Sequence, residues 1–317
     1  MKIVFLDEYS LGEASLEAIR SLGEYTGYEI TRSADEVVER AIDAEIVICN
    51  KVILSRETLS RLPKLELVCI AATGMNNIDL DAAKEFGIEV RNAVGYSTHS
   101  VAEATLGAVL SLLREISYYD RYIKSGEYAK SDRLFCLDRP IGQLAGSNWG
   151  VIGLGAIGRE VARLATAFGC CVKFFSTSGA IREEDYDRAE SLEELLSWSD
   201  IVSIHAPLNA ATKDLIGERE FEMMRKSAIL INVARGGIVD ERALVEALNQ
   251  RRIAAAALDV FSCEPIEPSS PLLTINNPDN IRLSPHNAWQ STKSIEKLVA
   301  AIAKNIENHK TKLIQPL

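Results

Sequence analysis

The 317-residue chain contains no uninterrupted apolar stretch of about 18 residues, the length a helix needs to cross a bilayer, so no membrane-spanning role is expected. Basic residues are in short supply. There are 35 Lys and Arg against 45 Asp and Glu, a formal charge of −10 with no clustered basic stripe, which disfavours nucleic acid as the main partner. The six cysteines include no C-x-x-C pair, and Cys49 and Cys69 sit inside apolar runs. Reduced, mostly buried thiols are expected, with no zinc site, no other metal site and no disulfide framework. The vicinal pair Cys170-Cys171 should face opposite sides of a strand and is given no function. The start, Met1-Lys2-Ile3-Val4-Phe5-Leu6-Asp7, meets an acid too soon for a secretory signal, and a cytoplasmic protein is expected.

What is present suits a globular protein. The chain is 47% hydrophobic and 25% charged, and its length suggests two domains at roughly 100–200 residues each. Over residues 1–91, short apolar runs at 3–6, 46–49, 67–71 and 88–90 read as strands. They alternate with helical spacing at 13–22, 35–41 and 79–86. A second series has strand candidates at 149–152, 171–175, 201–205, 228–233, 255–260 and 281–284. Helices are expected at 157–168, 192–198 and 241–249. Alternation of this kind implies parallel sheets covered by helices on both faces. Residues 100–116 read as a long helix joining the two series. The amphipathic tail at 295–306 is too little for a third domain and should pack back on the first.

Val151-Ile152-Gly153-Leu154-Gly155-Ala156-Ile157-Gly158 is G-x-G-x-x-G directly after a strand and at the opening of a helix. In that context Gly153 permits a tight turn, Gly155 lets the backbone approach a pyrophosphate, and Gly158 brings helix and strand together. The helix N-terminus, at Ala156 and Ile157, turns free amides toward phosphates. An NAD site usually places an acid about 20 residues further on, where this chain reads Ser176-Thr177-Ser178-Gly179. Without that acid a 2′-phosphate is not repelled there, and the three hydroxyls with Arg182 are candidates to contact it. No Lys or Arg stands in the turn itself. NAD or NADP remains open, leaning to acceptance of both.

Ligands of a doubly wound sheet bind at the carboxyl ends of its strands. Three groups suited to hydride chemistry fall there: Arg235 after the fourth strand of the second series, Glu264 after the fifth and His286 after the sixth. Imidazole titrates near neutral pH, so His286 suits proton donation in reduction and acceptance in oxidation. Glu264 would orient it and favour its charged form, while Arg235 offers a planar pair of donors to a substrate carboxylate. The bland alternative is an ordinary ion pair between Arg235 and Glu264.

These residues and the glycine motif, with His205-Ala206-Pro207-Leu208, the run from Ala234 to Glu241, Leu258-Asp259-Val260-Phe261 and Ser284-Pro285-His286, resemble the D-2-hydroxyacid dehydrogenase family over essentially the whole chain. Residues 71–79 and 95–103, Asn50-Lys51, the Ser176–Ser178 turn and Trp289 look most like its glycerate dehydrogenase, or hydroxypyruvate reductase, branch. Val94 departs from the Pro usual before Gly95.

The resemblance implies two doubly wound parallel-sheet α/β domains. A Rossmann-type NAD(P)-binding domain would span 99–286, and a smaller flavodoxin-like substrate domain would be split between 1–98 and 287–317, the two enclosing a cleft. Cofactor-side positions would include His205, Ala206, Pro207, Thr212, Ala234 and Asp259. Substrate-side positions would include Lys51, Thr73, Gly74 and Met75 beside Arg235 and His286. The implied activity is hydride transfer between NAD(P)H and a small 2-oxoacid, foremost hydroxypyruvate or glyoxylate, by a homodimer with residues 118–137 as an arm. The alternatives are a D-lactate or phosphoglycerate dehydrogenase of the same family, or a non-enzymatic, nucleotide-sensing protein of the corepressor kind.

Overall fold

A computed structural model of the chain describes residues 1–179 and 184–314. It divides by internal contacts into two units, Met1–Ser97 with Gln290–Leu317, and Thr98–Trp289.

The first unit is built on five parallel strands: β1 Lys2–Phe5, β2 Glu24–Gly27, β3 Ile46–Cys49, β4 Leu67–Ile70 and β5 Glu89–Asn92, in the order β2-β1-β3-β4-β5. This is the flavodoxin-type order, whose direction reverses between β1 and β3. All four residues of both β3 and β4 are buried, as expected of central strands covered on both faces. The polar edge strand β2, Glu-Tyr-Thr-Gly, carries no such signal and was not expected. Neither was the helix Arg56–Ser60, capped by the Ser55 hydroxyl. Instead of one helix over 13–22, a 3-10 turn at Glu8–Leu11 ends on Gly12 at φ 59°, and only Glu17–Arg20 is helical.

The tail returns to this unit as the helix Thr292–Ile314, longer than expected, packed on β4 and on the helix Glu17–Arg20. Leu298, Val299, Ile302 and Ile306 are buried, and the Asn305 amide donates to the Asn92 carbonyl at 3.1 Å. His309 sits between two carboxylates, Nδ1 3.1 Å from Glu89 and Nε2 3.3 Å from Glu66.

The second unit holds seven parallel strands: β6 Asn148–Ile152, β7 Cys171–Phe175, β8 Asp187–Arg188, β9 Ile201–Ile204, β10 Ile229–Asn232, β11 Ala255–Leu258 and β12 Ile281–Leu283. Their order is β12-β11-β10-β9-β6-β7-β8. Numbered within the unit this is 3-2-1-4-5-6 with a seventh strand added at the far edge, the doubly wound dinucleotide-binding topology. The strand beyond the six expected, β8, is two exposed residues long. Trp149 is fully buried at the centre of the sheet, its indole N–H donating to the Ser203 hydroxyl at 2.9 Å. The long helix runs Thr98–Leu113 and lies against the helix Ala156–Ala167. Glu115, at φ 51°, breaks it from the following helix, Ile116–Lys124.

Candidate active site

In the second sheet the winding direction changes between β6 and β9, and the chain leaves those two strands at Gly153 and His205. That is where a doubly wound sheet receives its ligand. A cavity of about 240 Å3 opens there, bounded by residues 153–155, the 176–178 turn, Glu184, and His205, Ala206 and Pro207.

Each glycine of the motif has its own reason. Gly153 has φ 90°, and a Cβ on it would stand 2.9 Å from the Ala206 nitrogen. A Cβ on Gly158 would lie 2.3 Å from the Gly153 carbonyl oxygen, inside any permitted contact, so only glycine lets the helix Ala156–Ala167 start this close to β6. At Gly155 a Cβ would meet nothing within 4 Å, so the protein itself leaves the space above the helix N-terminus open. Ala156 and Ile157 form the first turn of that helix. A bound diphosphate fits this cradle, which combines an open glycine with free helix amides.

His205 Nε2 lies 3.0 Å from the Ser203 hydroxyl, while its buried Nδ1 has no hydrogen-bond partner among the described residues. The Ser203 hydroxyl also accepts from the Trp149 indole N–H, so the imidazole and the indole share it beside the cavity. Burial pushes this imidazole down to about 3, and it is neutral at physiological pH. Thr212 is buried away from the cavity lining, its hydroxyl donating to the Pro207 carbonyl at 2.6 Å, and so shapes the 207–212 loop. Of the 2′-side candidates, Ser176, Thr177 and Ser178 line the cavity. Arg182 lies outside the described residues. Glu184, which sequence spacing did not single out, also lines the cavity and is paired with Arg159.

Further along the same crest, Arg235, Glu264 and His286 follow the adjacent strands β10, β11 and β12. His286 Nδ1 is 2.6 Å from Glu264 Oε2, and the other oxygen of that carboxylate accepts from the Phe261 amide at 3.0 Å. His286 adopts φ 53°, with its own amide donating to the Ser284 carbonyl. The loop is pinned by the buried Asp259 carboxylate, which accepts from the Ser284 hydroxyl at 2.6 Å and the amides of Asn287 and Ala288 at 3.0 and 2.9 Å. Arg235 forms no ion pair with Glu264. Its guanidinium donates to the Ala234 carbonyl at 2.7 Å, and among the described residues no carboxylate reaches it. The Asn232 side chain holds this turn from both sides, donating to the Arg235 carbonyl and accepting from the Ala234 amide. The neighbouring Gly236 is enforced by close approach, since a Cβ there would fall 1.8 Å from the Phe261 oxygen.

In the first unit, Asp7 after β1 and Lys51 after β3 face each other across the point where that sheet reverses. The buried Asp7 carboxylate, its pKa raised by burial, accepts from the amides of Asn50 and Lys51 at 2.8 and 2.7 Å. After β4, Thr73 donates to the Ala93 carbonyl at 3.0 Å and its own carbonyl accepts from Asn92 at 2.6 Å. Gly74 is half-buried, and Met75 packs against this unit's core.

Comparison with known proteins agrees with this geometry. Residues 106–288 match the model of the D-isomer specific 2-hydroxyacid dehydrogenase NAD binding domain. A protein of Haemophilus influenzae assigned as a 2-hydroxyacid dehydrogenase is 42% identical, over 99% of this chain and 100% of its own. The glycerate dehydrogenase of Methylorubrum extorquens is 39% identical over 96% of this chain and 95% of its own. Among solved structures, the D-lactate dehydrogenase of Aquifex aeolicus complexed with NAD and lactic acid superposes with a TM-score of 0.83 at 27% identity, covering 98% of this chain and 96% of the other.

Proposed function

The chain belongs to the D-2-hydroxyacid dehydrogenase family and is an NAD(P)-dependent oxidoreductase, and from that premise we propose that it reduces hydroxypyruvate, and also glyoxylate, to D-glycerate and glycolate. The observation that carries the chemistry is the 2.6 Å His286–Glu264 pair on the crest that also bears Arg235, a cation with no carboxylate partner among the described residues.

Glu264 takes the Nδ1–H of His286, which fixes the ring and leaves Nε2 to exchange a proton with the substrate oxygen. Arg235 receives the substrate carboxylate in its two-pronged fork and polarises the neighbouring carbonyl. NAD(H) or NADP(H), held at the glycine cradle of residues 153–158, would supply or take the hydride. Asp259 acts through the 284–288 loop as a positioning residue. Lys51, Thr73, Gly74 and Met75 serve the substrate's polar end, with amides of the 73–75 turn as donors.

In this reading the 99–286 stretch is the nucleotide domain, and 1–98 with 287–317 the substrate domain. The working form is a cytoplasmic homodimer using residues 118–137 as its arm. Retention of Arg235, Glu264 and His286 together favours an enzyme over a nucleotide-sensing binding protein. Initial rates of NADH and NADPH oxidation on hydroxypyruvate, glyoxylate, pyruvate and phosphohydroxypyruvate test the substrate: hydroxypyruvate is expected to give the highest kcat/KM. A ranking led by pyruvate or phosphohydroxypyruvate would reassign the chain within the family, and oxidation with none of them would remove the proposed substrates.

A further inference from the structure

We infer that Glu184, held by Arg159, is the residue that selects the nucleotide, and that it selects against a 2′-phosphate. The inference rests on the nucleotide reading of the cavity and adds the side chains that decide which nucleotide enters.

The usual acid is missing from the end of β7, where Ser176, Thr177 and Ser178 stand instead. Yet the cavity those hydroxyls line also receives Glu184, the one carboxylate among its described lining residues. Glu184 is only 13% exposed and is gripped in a two-pronged ion pair by Arg159, one bond being Nε to Oε2 at 3.1 Å. Arg159 belongs to the first turns of the helix that opens with the glycine motif, so both partners are tied to the cradle.

A carboxylate oxygen has more than one acceptor direction, and the Arg159 fork occupies one on each oxygen. The remaining directions suit the vicinal hydroxyls of an unphosphorylated ribose. A 2′-phosphate brings about two negative charges beside the same carboxylate. The described lining residues include no Lys or Arg, and Arg159, the guanidinium paired to that lining, is already held by Glu184. Glu184 therefore both repels the phosphate and masks the Arg159 guanidinium from it. Removing the carboxylate charge reverses both effects at once. Removing Arg159 leaves the carboxylate uncompensated and strengthens the discrimination. The two substitutions thus act in opposite directions, which a merely structural ion pair would not do.

The test is calorimetric binding of two fragments, ADP-ribose and its 2′-phosphate derivative, to the full chain, which reads the site without turnover. Wild type is expected to bind ADP-ribose the more tightly, by roughly tenfold or more. Glu184→Gln should reduce that ratio by about tenfold, and Arg159→Met should widen it. Equal or reversed wild-type preference overturns the inference, and so does a ratio in Glu184→Gln within about twofold of wild type. Narrowing in Arg159→Met overturns the masking of Arg159. If wild type binds neither fragment, the nucleotide reading fails as well; if it binds both and only the ratio disobeys, that reading stands and this inference falls.

Discussion

At the scale of single residues, the chemistry depends on which charges are spent and which are left available. Arg235 uses one nitrogen on the Ala234 carbonyl and presents the rest of its fork, whereas Glu264 is committed to His286. Arg235→Lys keeps the charge and loses the planar fork. It is expected to lower kcat/KM for a 2-oxoacid by about ten- to a hundredfold with KM raised, read from steady-state kinetics. Unchanged kinetics would show that the carboxylate is bound elsewhere.

His205 has a different consequence, for stability. Its folded-state pKa is depressed by burial from 6.5 to about 3. The unfolded chain therefore takes up a proton below about 6.5 that the folded chain refuses until near 3. This group withdraws stability as pH falls through that window, by up to ~1.4 kcal/mol per pH unit. Urea midpoints at pH 7 and pH 5 should fall further for wild type than for His205→Asn, and equal falls would contradict the assignment. Arg235, Glu264 and His286 were readable as candidates from residue type and position after strands, and the fold sets them behind the adjacent strands β10, β11 and β12. Glu184 was not, because its closeness to the 176–178 turn comes from the fold and not from its distance along the chain.

At the scale of elements, legibility followed the apolar pattern. The strands 46–49 and 171–175 and the helices 192–198 and 241–249 form with the bounds their apolar patterns indicate. In the two helices a cap sharpens the start, at Ser191 and Asp240. The edge strands β2 and β8 carry polar residues and owe their pairing to a neighbour, so nothing in their own sequence announces them. The break at Glu115 is not legible for a related reason, since a left-handed residue without glycine leaves no mark in periodicity.

The glycine loop is the element on which binding turns. Gly158→Val would press a side chain against the Gly153 carbonyl and Val151. It should cost ~1–3 kcal/mol of stability and weaken ADP-ribose binding at least tenfold, measured by denaturant unfolding and calorimetry. Wild-type affinity in this variant would mean that helix and strand need not approach so closely.

At the scale of the whole molecule, the 317 residues form two doubly wound units, and the first is completed by a helix from the far end of the chain. That return was foreseeable from an amphipathic tail with no strand to follow. Its cost is testable, because Ile302 is fully buried on the helix that packs against β4. Ile302→Ala should destabilise by ~2–5 kcal/mol in urea unfolding, and a negligible change would mean that the tail contributes little to that unit.

Arg235, Glu264 and His286 lie on one crest of the second unit, and the proposed proton transfer depends on the His286 imidazole. The most direct test is kcat on hydroxypyruvate for wild type and His286→Ala, with nucleotide affinity measured on the same preparations. If His286 is the proton donor, kcat falls about 10²–10⁴-fold with the nucleotide dissociation constant within a few-fold of wild type. Turnover in His286→Ala equal to wild type would contradict it.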